Sequence, residues 1–199
     1  MRWIVGVLMV ALVGLVIGAG TFAYFSDTET SSGNQITAGT LELKLGDGAN
    51  TWYDDPNIPS YTVTNVYPGW SDWLDFYAKN FGSIDGDLYM KVTYTESTGD
   101  NTEAEGSPDD AVLDDNLCVA VTLDGTSFDL STYDTNSDGC VSLSEIANQY
   151  ILLGDLTGGN SMHIKIDVNI PTTVGNEIQG DTVTVNVEFK LMQDGILPS

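Results

Sequence analysis

Cations are scarce in this sequence. Six Lys and Arg stand against 29 Asp and Glu, a formal net charge of −23. Such a surface repels phosphate, which argues against nucleic acid as a partner. Histidine is scarcer still: His163 stands alone, on what reads as the polar face of a strand. No H-E-x-x-H, G-x-S-x-G or glycine-rich phosphate loop occurs, so ordinary hydrolases lack their base here and a zinc peptidase lacks its ligands. The sequence is therefore expected to encode no enzyme. Two cysteines leave one intramolecular pairing open to an exported chain, Cys118 with Cys140. Hydrophobic residues make up 42%, too many for disorder. The acidity thus belongs to a folded surface, suited to divalent cations, high salt or plain solubility.

A long apolar run occurs once. After Met1 and Arg2, residues 3–25 carry no charge, enough to cross a bilayer as a helix. Two readings compete. A cleaved signal peptide fits Thr21-Phe22-Ala23, which puts small residues at the −3 and −1 positions before Tyr24. An uncleaved anchor would want a basic flank, and acidic Asp27 and Glu29 follow instead. Glycines at 14, 18 and 20 weaken a helix where a peptidase needs extended chain. Cleavage between Ala23 and Tyr24 is favoured, with 1–23 as the signal peptide. On either reading the domain lies outside the cytoplasm and meets a membrane only through its leader.

The rest alternates. Strands are expected over 36–45, 61–66, 73–79, 87–95, 118–123, 162–170 and 182–191, most of them with apolar residues at every second position. Half-buried strands of this kind, separated by Gly and Pro turns, indicate an all-β jelly-roll β-sandwich over 34–199. Residues 96–116 form an acidic insertion without a basic residue, in which Ser107-Pro108-Asp109 has the chemistry of a helix start.

One motif carries chemistry. Asp134, Asn136, Asp138, Gly139 and Glu145 fit D-x-[DN]-x-[DN]-G-x₅-E, a calcium-loop pattern. Asp134, Asn136 and Asp138 place oxygens at alternate positions of a tight turn, and Gly139 permits the bend. Cys140 would offer its carbonyl, Ser142 would act through a water, and Glu145 would close the shell with both oxygens. Leu143, Ile146, Ala147, Tyr150 and Ile151 share a helical face with Gly154 as a stop, so 134–154 reads as a calcium loop plus helix. A structural Ca²⁺ is the expected cofactor, bracing an insertion that a Cys118–Cys140 disulfide would pin as well.

The stretch G-x-G-T-F-A-Y-F-S-D-T-E, followed by A-G-T-L-E-L-K-L, resembles the start of the TasA/camelysin family. A second block, Tyr67-Pro68-Gly69 through Lys79-Asn80-Phe81-Gly82-Ser83 to Leu88-Tyr89-Met90, is similar to it too. That family comprises exported β-sandwich proteins of Bacillus-type biofilm matrix, with archaeal bundling pilins as relatives. The resemblance implies cleavage after Ala23 and a freed arm, 24–33, that inserts into a neighbouring subunit. Tyr24, Phe25, Ser26, Asp27 and Thr28 would form the donor strand, with unsatisfied sheet edges as the adhesive. Head-to-tail contacts of this kind do not close, so the implied product is a homopolymeric extracellular filament open to lateral bundling. Its alternative is a calcium-stabilised surface or matrix protein that does not polymerise. Peptidase activity, often attached to the camelysin branch, finds no zinc ligand set here.

Overall fold

The computed structural model describes residues 38–48, 51–54, 60–98 and 110–198. The chain divides into two compact units, Met1–Ala38 and Gly39–Ser199. Within the second unit lie strands β1 (Leu43–Gly46), β2 (Trp52–Tyr53), β3 (Tyr61–Val63), β4 (Ser71–Asn80) and β5 (Gly86–Ser97). After them come β6 (Cys118–Leu123), β7 (Thr126–Phe128), β8 (Tyr150–Leu156), β9 (Ser161–Asn169) and β10 (Thr182–Met192). Two one-turn helices, α1 (Leu113–Asn116) and α2 (Leu143–Ile146), interrupt them.

The strands form two antiparallel sheets, ordered β2-β1-β4-β9-β6-β7 and β3-β10-β5-β8. Apart from the β1–β2 and β6–β7 hairpins, every link between consecutive strands crosses from one sheet to the other. The period-2 pattern explains the layering. In β9, Met162, Ile164, Ile166 and Val168 are buried, while His163, Lys165 and Asp167 lie half-exposed on the outer face. Opposite them on β4, Phe76 pairs with Ile164 and Leu74 with Ile166 on the inner side. Inner-facing Leu88, Met90 and Val92 of β5 complete the core from the second sheet.

Several expected boundaries move. The helix expected to run to Gly154 stops at Ile146, and residues 150–156 are strand β8 instead. Ala147 is already extended (ψ 154°), and Asn148 takes a positive φ of 63°. Ile151 and Leu153 are buried with exposed Leu152 between them, a period of two that the short apolar run did not separate from helical spacing. Gly154 is no helix stop. Leu88 pairs with Gly154 and Tyr89 with Leu152, so Leu153 is an extra residue at a bulge, where Gly154 adopts φ 141°.

The first strand begins at Leu43, not at residue 36. Among residues 38–42, Thr40 and Glu42 give their carbonyls to Ser83, Ile84 and Phe81 in the irregular β4–β5 turn rather than to a ladder. Strand β3 likewise ends at Val63, short of residue 66. The helix start at Ser107-Pro108-Asp109 lies outside the described residues. The described turn, α1, has Val112 at its N-cap and no side-chain cap bond. Strands β2 and β7 were not expected. The β6–β7 hairpin had a signal in Asp124-Gly125, whose φ values of 48° and 81° suit a tight two-residue turn.

Asn80, fully buried at the end of β4, ties two turns together. Its Nδ2 donates to the carbonyls of Ile84 (2.8 Å) and Leu156 (3.0 Å), and its Oδ1 accepts from Gly82 N (2.8 Å). Replacing Asn80 with Ala would leave these groups without partners, and a loss of about 2–3 kcal/mol is expected. The midpoint of urea unfolding checks it. A midpoint unchanged from the parent would show that water replaces the side chain.

Candidate functional site

The sandwich is incompletely covered along one side. Strand β1 pairs with β4 only over residues 77–80, so among the described residues 71–76 have a strand neighbour on the β9 side alone. Strand β3 pairs with β10 only over residues 183–185, and among the described residues 186–192 have a strand neighbour on the β5 side alone. These two edges oppose each other. Phe76 of β4 meets Phe189 of β10 edge to face, ring centroids 5.3 Å apart. The Tyr61 hydroxyl donates to Asp72 Oδ2 across the same side. Burial first, and then Asp72, push that phenol's pKa upward, so it remains a donor.

Inside the sandwich lies an apolar cavity of about 20 Å³, lined mostly by buried core residues such as Val92, Val119, Ile166, Val168 and Val185, with partly buried Tyr61, Leu74 and Val187 on one side. It reaches inward to Leu143 and Ile146. Leu74, Val187 and Tyr61 are only partly buried although their strands aim them inward. The cavity can hold little more than a water-sized sphere, so it is no substrate chamber.

The acidic loop sits elsewhere, between β7 and α2. Asp134 accepts from Asp138 N (3.2 Å) and Gly139 N (3.0 Å), Asn136 Oδ1 from Asp138 N (2.9 Å), and Asp138 Oδ1 from Cys140 N (2.7 Å). Glu145 reaches back to the start of the loop. Its Oε1 accepts from Thr135 N (2.8 Å), Thr135 Oγ1 (2.7 Å) and Asn136 N (3.3 Å), and its Oε2 from Ser142 N (2.9 Å). Ser137 and Gly139 take φ of 61° and 86°, which close the bend. Ser142 Oγ lies 3.0 Å from Ser144 Oγ. Cys140 is disulfide-bonded to Cys118 on β6, with Cα atoms 5.3 Å apart. The loop carries Asp134, Asn136, Asp138, Cys140, Ser142 and Glu145, but the side-chain oxygens of Asp134, Asn136, Asp138 and Glu145 are turned onto loop amides, and among the described residues the carboxylates do not converge as a metal-holding group.

Ala23, Tyr24, Phe25, Ser26, Asp27 and Thr28 lie outside the described residues. The covered and uncovered stretches of β4 and β10 escaped sequence reasoning, because alternation marks a strand without saying what flanks it.

Together these features define a disulfide-stapled, two-sheet antiparallel β-sandwich with an acidic loop between β7 and α2. The chain belongs to the camelysin metallo-endopeptidase family, whose model matches residues 2–196. No curated protein matches it in sequence. The family's name points toward proteolysis, and the donor set does not fit a catalytic metal. His163 is bound to Asp75 (3.0 Å) and stacked on Tyr77, both cysteines are in the disulfide, and no group of three His, Cys, Asp or Glu among the described residues could hold a metal ion. No helix among the described residues is long and apolar enough to cross a membrane.

Glu145 makes the loop acid-sensitive. Burial would raise its carboxyl, but the bonds from Ser142, Thr135 and Asn136 more than offset this and hold it at about 2. A depressed carboxylate contributes stability above its unfolded value near 4.5, and that contribution disappears as pH falls toward 2. In Glu145→Gln, melting temperature is expected to fall less steeply than in the parent between pH 4.5 and 2. Thermal melts across that range check this; parallel acid limbs would contradict it.

Proposed function

We propose that this chain is a structural subunit of an extracellular filament, polymerised when the N-terminal arm of one copy adds as a strand to the next. The observation that carries the reading is a pair of strand edges, 71–76 of β4 and 186–192 of β10, that no strand covers among the described residues. The alternation of sheets along the chain supports jelly-roll winding with this side left for a partner strand. Lengths agree. Residues 186–192 extend about 23 Å and residues 24–32 about 30 Å at strand rise. Tyr24 and Phe25 would lay apolar rings over partly buried Leu74 and Val187, and backbone hydrogen bonds would supply affinity.

A leader cut after Ala23 frees the arm only once the chain is exported, so polymerisation waits until it is outside the cell. The contact is heterologous, arm to edge, and therefore extends instead of closing. Family membership supports a secreted or surface-exposed subunit of this kind. The family name also gives a second reading, proteolysis, which a peptidase assay with and without zinc separates from the first.

The loop takes a structural role within this reading. Asp134, Asn136 and Asp138 would supply side-chain oxygens to Ca²⁺, Cys140 its carbonyl, Ser142 a bridging water and Glu145 both carboxylate oxygens. The pre-bent loop, with Glu145 already folded back on its start, supports that assignment. Calcium would draw these oxygens from the amides they now accept from.

Two measurements check these claims. Removing residues 24–32 is expected to yield soluble monomers and no filaments by electron microscopy; filaments surviving the deletion would sink the proposal. Calcium at 100 times its Kd is expected to add about 2.7 kcal/mol, raising the melting temperature by several degrees. Chelation should reverse that rise, and a midpoint indifferent to both treatments would contradict the calcium role.

A further inference from the structure

Every described cationic side chain lies against an aromatic ring. On the six-stranded sheet, Lys79 Nζ sits 4.6 Å from the Phe81 ring centre and 5.6 Å from that of Trp52, and Lys44 Nζ lies 5.0 Å from Phe81. Lys165 lies 5.7 Å from the Trp73 ring, and His163 stacks on Tyr77. On the four-stranded sheet, Lys91 and Lys190 share one ring, that of Tyr150, at 5.1 and 4.7 Å. Lys44 also meets Glu42 and Asp54, Lys165 meets Asp167, Lys190 meets Glu188 and His163 meets Asp75.

Carboxylates remain in large excess, 29 against six Lys and Arg, and in places they face one another. Asp87 of β5 stands directly opposite Asp155 of β8. Cross-strand partners are about 5 Å apart at Cβ, and like charges there destabilise the pair. The Asp155 carboxyl is pushed upward, first by its hydrogen bond with Asp87, and the charges of Asp194 and Asp85 add to this. Asp85 accepts from Gly158 N at 3.0 Å and Asp87 from Gly195 N at 3.2 Å, so these two also hold turns. Among the described residues none of the four forms an ion pair.

Ionic strength acts unequally on these contacts. Charges at an exposed surface are screened over about 10 Å at 0.1 M salt and about 3 Å at 1 M. Salt therefore weakens the few ion pairs and the many repulsions together. In a chain of net charge −23 the repulsions outnumber the attractions. A lysine whose stem lies over a ring keeps that packing after its ion pair is screened. Salt thus removes more repulsion than attraction here.

We propose that this sandwich is suited to high-salt surroundings, where dissolved monovalent cations complete its stability by screening its carboxylates. The most responsive part is the end where β5, β8 and the turn after β10 bring Asp85, Asp87, Asp155 and Asp194 together. The partner is a diffuse ion atmosphere and no bound ion. The inference therefore stands independently of both the calcium loop and the filament reading.

Thermal melts of the full chain at pH 7.5, in chelator, test it at 0.1 and 2 M NaCl. The melting temperature of the parent is expected to rise by about 10 °C; a flat or falling profile would overturn the proposal. Salt can also strengthen apolar burial, and Asp155→Asn separates the two effects. It removes the charge opposite Asp87 and leaves the turn bonds of Asp85 and Asp87 in place. The variant is expected to melt about 2–3 °C above the parent at 0.1 M and level with it at 2 M. An equal offset at both concentrations, or none at 0.1 M, would contradict repulsion as the cause. In the parent, amide exchange of residues 86–88 and 154–156 should slow more with salt than that of β9. Uniform slowing would overturn that end as the responsive part.

Discussion

The contact of Phe76 with Phe189 is the one on which the open side depends. It is edge to face at 5.3 Å and bridges the two sheets where neither strand is fully flanked. A sandwich buries its inner faces only if both sheets stay about 10 Å apart along their whole width. Where a covering strand is short, that spacing must come from side chains. Phe76 and Phe189 supply it, Tyr61 and Asp72 tie its polar end, and the small cavity beside Leu74 and Val187 is what remains.

The insertion that carries the acidic loop is stitched to the far part of the same sheet. Cys118 bonds Cys140, Val119 N donates to Val141 O at 2.8 Å, and Leu143 N donates to Leu117 O at 2.9 Å. Leu143 and Ile146 of α2 then reach the apolar cavity. The loop therefore touches the candidate docking side only through packing, from behind. Glu145 closes the loop on its own start, and Glu96 at the end of β5 accepts from Asp114 N of the neighbouring α1.

Much of the fold was legible, for a simple reason. In β9, and in β10 as far as Leu191, each inward position is apolar and each outward one polar, so Met162, Ile164, Ile166, Val183 and Val185 announce both the strand and its buried face. The loop was legible because its residue types have separate geometric duties. Reading failed where two periods coincide. Leu143, Ile146, Tyr150 and Ile151 satisfy a helix on paper, and only pairing with β5 makes 150–156 a strand. It failed again at 71–76 and 186–192, whose exposure is a property of the strands beside them. Nothing local to Leu74 or Val187 says that the neighbour stops short.

The central claim is that the arm of one copy lies along these two edges of the next. Amide hydrogen exchange, compared between assembled filaments and dispersed monomers of the same mature chain, addresses it directly. The account predicts that residues 71–76 and 186–192 become strongly protected on assembly, together with 24–32. Unchanged exchange at both edges, with protection gained elsewhere, would contradict it.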